Sequence, residues 1–116
     1  MVKPKKGRRL GGDSAHQKAI IRNLAISLIE HERVKTTEAK AKMARMLVER
    51  AVHVAKKGDL ASRRRCIQIL GSAKGAKKLV EEIAPKYTDI SSGYTRIIKI
   101  GNRLGDNAPI VFLEFV

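Results

Sequence analysis

Cys66 directly follows Arg63-Arg64-Arg65, and cations beside a thiol can lower its pKa toward a reactive thiolate. The same residue sits in a stretch with helical periodicity, where a lone cysteine usually serves as a small buried hydrophobe. His16, His31 and His53 share no ligand spacing with one another or with Cys66, which argues against a zinc site. Gly101-Asn102-Arg103-Leu104-Gly105 lacks the Lys-Ser/Thr ending and the following helix of a phosphate-binding loop. No nucleophile, base and orienting acid stand in a recognisable motif. The residues thus argue for no enzyme, cofactor, metal or small-molecule substrate.

The chemistry that remains is charge. Among 116 residues, 25 Lys and Arg face 11 Asp and Glu, a net charge of +14. A small soluble domain needs a net charge of only about 2–8. An excess this large repels itself unless a polyanion neutralises it, so nucleic acid is the first partner to consider. Aromatic residues make up only 3% of the chain and Trp is absent. Stacking platforms for single strands are therefore scarce, and backbone and shape reading of a folded RNA or a duplex fits better. A single cysteine excludes an intramolecular disulfide and suits a reducing compartment. No apolar run approaches the ~20 residues of a membrane span, and the N-terminal cations are not followed by the apolar segment of a secretory signal.

These cations need elements to hold them. Residues 1–12 carry five cations, three glycines, one proline and no acid. Such a segment reads as an extended basic arm, ordered by a partner, with a reach of at most ~40 Å. Residues 13–116 read as one globular domain. Ser14-Ala15-His16-Gln17 forms a capping box that opens a first helix, whose Ile21, Leu24, Ala25 and Leu28, widened by Ile20 and Ile29, form the buried stripe. Val34 to Thr36 reads as a brief strand, with Thr37 as the next N-cap. A second helix, Glu38 to about Lys57, buries Met43, Ala44, Leu47, Val48, Ala51, Val54 and Ala55, while Lys42, Arg45, Glu49, His53 and Lys56 face solvent. Gly58 ends it and Asp59 caps a third helix, Leu60 to Leu70, with Leu60, Ile67 and Leu70 inward. Its three consecutive arginines must point in three directions, so one is expected in an internal ion pair. A fourth helix, about Ala73 to Ala84, turns Ala76, Leu79, Val80 and Ile83 inward and is closed by Pro85.

The chain ends in a ribbon, Ser92 to Gly101 and Ile110 to Val116, joined by a turn-rich tip. Val111, Leu113 and Phe115 share the side expected to face the core. The fold class is therefore α+β, in the order α-β-α-α-α-β-β, with helices covering one face of a small mixed three-stranded sheet, and the basic arm.

Two stretches resemble a known family. Gly93-Tyr94-Thr95-Arg96-Ile97-Ile98-Lys99 followed by Gly105-Asp106-Asn107-Ala108-Pro109 is similar to the closing signature of the bacterial large-subunit ribosomal protein L-seventeen family. His16-Gln17-Lys18-Ala19 with Arg22-Asn23-Leu24, then Lys35-Thr36-Thr37 and Ala39-Lys40-Ala41, resembles its first helix and following strand. The opening departs from the pattern: the frequent Met-Arg-His start is absent, and only Gly7-Arg8 and Leu10 fit. The resemblance implies a two-layer α/β sandwich with this element order, and a structural component of the large ribosomal subunit in the cytoplasm, bound to 23S-type ribosomal RNA near the outer mouth of the peptide exit tunnel, beside other large-subunit proteins. Carried over by position, it puts Tyr94 and Arg96, His16, Arg22 and Asn23, and Lys35, Thr36 and Thr37 near RNA.

Charge and position add Lys3, Lys5, Lys6, Arg8 and Arg9 in the arm, Lys18 and Lys40, Arg63 and Arg64, and Arg103 at the ribbon tip. The competing reading is a DNA-binding architectural protein, although neither a helix-turn-helix signature nor an apolar wedge is visible.

Overall fold

The structure, a computed structural model, describes residues 14–116. The predicted arm, with Lys3, Lys5, Lys6, Arg8 and Arg9, lies outside the described residues. So does the side chain of Ser14, on which the expected capping box depends.

Helix α1 (Ser14–His31) buries Ile21, Ala25, Leu28 and Ile29, with Ile20 and Leu24 packed at the margin, as its periodicity predicts. Glu32 takes a left-handed conformation (φ 64°) that turns the chain from the helix into strand β1 (Arg33–Thr37). Helix α2 (Glu38–Ala55) follows at once, with Thr37 in the N-cap position but its hydroxyl making no cap bond.

Helix α2 is the centre of the molecule, packing on α1, on helix α3 (Leu60–Leu70) and on all three strands. Its buried stripe is Ala41, Ala44, Val48, Ala51, Val52 and Ala55. Small side chains along a stripe let neighbouring elements approach closely. The larger Met43, Leu47 and Val54, expected inside, lie half-buried at its rim.

Asp59 caps α3 by accepting the Ser62 N–H at 2.7 Å, and that bond holds its carboxyl below the usual carboxylate range. The inward stripe of α3 is Ser62, Cys66, Ile69 and Leu70. Leu60, 63% exposed, and Ile67, 40% exposed, face outward, contrary to expectation. A serine at the head of the stripe disguises the true phase of the helix, because positions 62, 66, 69 and 70 follow helical spacing while one of them is polar. Gly71 ends α3 at φ 70°, donating its N–H to the Ile67 carbonyl at 2.7 Å, a left-handed cap that glycine adopts without steric cost.

The fourth helical run is longer and less regular than its sequence suggests. Helix α4 (Ala73–Lys78), capped by Ser72, continues as a π turn (Leu79–Ile83) and a 3-10 turn (Ala84–Tyr87). Ala76, Leu79, Val80 and Ile83 point inward as expected. Pro85 does not stop the run. It sits in the first turn of the 3-10 segment, where its missing N–H costs nothing.

The sheet is antiparallel throughout, not mixed. Strands β2 (Thr95–Asn102) and β3 (Pro109–Phe115) form the terminal ribbon, and β1 adds to the free edge of β3, giving the order β1-β3-β2. A parallel pair would require β1 beside β2, but β3 lies between them. Val111 and Leu113 are fully buried and Phe115 is half-buried on the core side.

Candidate nucleic-acid interface

The ribbon's signature stretch is locked into the fold. Tyr94 is 1% exposed and is the largest fully buried side chain. Its ring meets Tyr87 edge-on at 5.5 Å between centroids, and Tyr87 in turn lies 6.3 Å from the Phe115 ring. The Tyr94 hydroxyl donates to the Ser91 carbonyl at 2.9 Å and accepts from Lys56 Nζ at 3.1 Å. Its expected place beside RNA gives way to this role, because a ring packed among rings has no face to offer a base.

Glu49 completes the anchor. Its carboxylate accepts the Tyr94 N–H at 3.2 Å, the Thr95 N–H at 3.0 Å and the Thr95 hydroxyl at 2.8 Å. The face of α2 bearing Glu49 and Lys56 was expected to meet solvent, and instead it receives the start of β2. A single carboxylate satisfies two backbone donors that the first strand residues would otherwise bury unpaired.

Beyond Thr95 the ribbon's outer face carries two arginines that share one carboxylate. Arg96 Nε donates to Glu114 at 2.8 Å, and Arg33 Nε lies 3.6 Å from the other oxygen of the same carboxylate. Arg33 also spreads over the Phe112 ring at 3.6 Å, a cation–π contact. Lys35 is exposed on the same face, opposite Phe112 in register. At the tip, Arg103 clasps Asp106 through two nitrogens, lowering the Asp106 pKa to about 2.

The arginine triplet on α3 splits as its helical position requires. Arg63 is half-buried and paired with Glu81 at 3.3 Å, Arg64 points to solvent, and Arg65 turns toward α1. Arg65 and Arg50, neither among the expected contacts, join Lys18 and Arg22 around a groove between α1, α2 and α3. Gln68 positions two of them: its carbonyl accepts from Arg22 Nη2 at 3.2 Å and its side-chain oxygen from Arg65 Nη1 at 3.3 Å. Among the described residues, no acidic side chain lines the groove and none of the four cations takes part in an ion pair.

Of the other expected contacts, His16 and Asn23 are exposed on α1, Lys40 is half-buried in the first turn of α2, and Thr36 and Thr37 are half-buried at the β1–α2 junction. The arrangement is one of charge rather than reaction chemistry. Burial raises the Cys66 thiol pKa, opposing the thiolate its arginine neighbours would favour, and no group of His, Cys, Asp and Glu among the described residues could hold a metal.

Comparison with known proteins points the same way. The model of the family described as Ribosomal protein L17 matches residues 20–116. A curated relative from Syntrophotalea carbinolica, "Large ribosomal subunit protein bL17", is 54% identical over 112 residues, covering 97% of this chain and 72% of the relative.

Proposed function

The chain belongs to the ribosomal protein L17 family, and from that premise we propose that it stabilises the large subunit's ribosomal RNA by neutralising phosphates with its arm and first helix. The family is one of large-ribosomal-subunit proteins in the cytoplasmic ribosome, structural components rather than enzymes. A DNA-binding architectural role finds no support in these relationships.

In this reading residues 1–12 act as an extended basic arm on a single globular body, residues 13–116, whose helices form a second layer over one face of the sheet. The protein sits near the outer mouth of the exit tunnel beside other large-subunit proteins. The observation that carries the RNA reading is the cluster of Lys18, Arg22, Arg50 and Arg65, four cations brought to one place with no acid among the groove's lining residues. Self-repulsion makes such a cluster unfavourable alone, and a phosphate backbone relieves it. His16 and Asn23, exposed on α1, and Lys35, exposed on β1, extend the contact. Tyr94 supports the interface from within the core.

Binding of the full chain to protein-free large-subunit RNA across a salt series tests this. The logarithm of affinity should fall linearly with the logarithm of salt concentration, and deletion of residues 1–12 should flatten the slope by roughly 3–4 units. Binding that ignored salt, or recovery of the protein in the soluble fraction rather than with large subunits after a moderate-salt wash, would overturn the reading.

A further inference from the structure

The groove between α1, α2 and α3 has a volume of about 480 Å³, within the range of sites that enclose a small organic group. Its floor is apolar: Ile21 and Ile69 are nearly fully buried, and Met43 and Leu47 are half-buried beside them. Its rim is the four unpaired cations. Phosphate binding alone needs no such floor, since a row of surface lysines serves a backbone equally well. A floor of this kind fits an apolar or π-faced group, and a cationic rim fits an anion attached to it.

A nucleotide has both parts. Resting on the RNA-binding reading above, we infer that this groove receives one unstacked nucleotide of the ribosomal RNA. Its base lies on Ile21, Met43, Leu47 and Ile69, and its flanking phosphates meet Lys18, Arg22, Arg50 and Arg65. Bases splayed from loops and bulges are the usual targets where RNA is read by protein, and guanidinium planes stack on them as aromatic rings do. The groove thereby supplies what a chain with 3% aromatic residues otherwise lacks. The arm is the wrong occupant, because residues 1–12 carry five cations and no acid and would be repelled by this rim.

Two features hold the rim ready. Gln68 fixes Arg22 and Arg65 through different oxygens. Arg22 lies across the end of α3 beside Gly71, packed closely enough that a Cβ there would be in van der Waals contact with its Cδ at 3.4 Å. Neither arrangement involves a counter-charge, so both arginines keep their full positive charge for a ligand.

The test uses the full chain with protein-free large-subunit RNA. A diazirine-bearing leucine analogue at position 47 should crosslink to the base of one nucleotide, and sequencing should locate it in a loop or bulge. Arg22→Gln with Arg50→Gln should flatten the salt slope by about 1.4–1.8 units and abolish that crosslink, while circular dichroism stays native because both side chains are exposed. RNA binding that persists with no crosslink, with a crosslink only to duplex backbone, or in assembled subunits with a crosslink to an acidic protein segment, would overturn the nucleotide site and leave the general reading standing. Absence of RNA binding by the unaltered protein would overturn both.

Discussion

The ribbon's anchor and the helical groove handle polar groups in opposite ways. Around Tyr94 and Thr95, the donors of Tyr94 and Thr95 meet partners inside the protein: Glu49 accepts three hydrogen bonds, Ser91 a fourth, and Tyr87 reaches the Val116 carbonyl at 2.8 Å. Around Arg22 and Arg50, no charge meets an opposite one among the described residues. The first region is closed, its donors already committed to the fold. The second is open electrostatically and is stable in isolation only because water and salt screen it. A chain can therefore carry its most recognisable motif in one place and its unspent charge in another.

The sharpest way to break this contrast is to remove Glu49. Glu49→Ala leaves the Tyr94 and Thr95 N–H groups and the Thr95 hydroxyl without their acceptor, and an unsatisfied buried donor is costly. Urea denaturation should show a loss of about 2–3 kcal/mol, since hydrogen bonds to a charged group contribute about 1.5–3 kcal/mol and partial rehydration returns some of it. Affinity of the folded fraction for RNA should not change. A large loss of affinity with little loss of stability would show that this corner contacts RNA after all.

The outer face of the sheet supplies an intermediate case, with two of its cations, Arg33 and Arg96, sharing one carboxylate. Arg33→Gln together with Arg96→Gln should flatten the salt slope by about 0.7–0.9 unit, half the effect of the groove pair, because the single Glu114 carboxylate already offsets one of the two charges they carry. Stability should fall by no more than about 1 kcal/mol, the range of exposed ion pairs and surface cation–π contacts. An effect on RNA binding equal to that of Arg22 and Arg50 would mean that Glu114 lets go of its arginines on binding, and the distinction between spent and unspent charge would collapse.

Much of this was legible in the residues. The element order, the α1 stripe and the inward side of β3 follow from periodicity alone. The sheet's direction did not, since it depends on how three intervening helices return the chain to the free edge of β3. Helix α3 departs from the expected phase at Leu60 and Ile67 because its stripe begins with Ser62, and hydropathy counts a buried serine as exposed. Glu49 looked like a member of an ordinary charged face, with Arg45 four residues before it, and only the return of β2 to α2 reveals the donors it serves. The groove was half visible. Lys18 and Arg22 lie four apart on α1, but Arg50 and Arg65 reach them from separate helices, and no local pattern announces a meeting across 28 and 43 residues counted from Arg22. Arg65 was within reach of sequence reasoning: Arg63 and Arg65 cannot share a face, so once one pairs with Glu81 the other must look elsewhere.

The smallest effect expected comes from the buried side and appears at alkaline pH. Burial raises the Cys66 thiol above its ordinary value of 9.0, and burial, then the charges of Glu32 and Glu49, raise Tyr87 above 10.0. Both groups are neutral when protonated, so the folded protein holds their protons more tightly than the unfolded chain does. Between the unfolded and folded pKa values the unfolded state therefore carries fewer protons, and stability declines as pH rises. The decline should begin near pH 9 for Cys66 and near pH 10 for Tyr87. Cys66→Ala should remove the first part of the decline while costing stability at neutral pH, since it leaves a small void against Ala51, whose carbonyl lies 3.6 Å from Sγ. Urea midpoints measured from pH 7 to 10.5 would separate the two. An unaltered alkaline profile in the Cys66 variant would mean that the thiol is reached by solvent, and that the region behind the arginine triplet is less closed than the anchor beneath the ribbon.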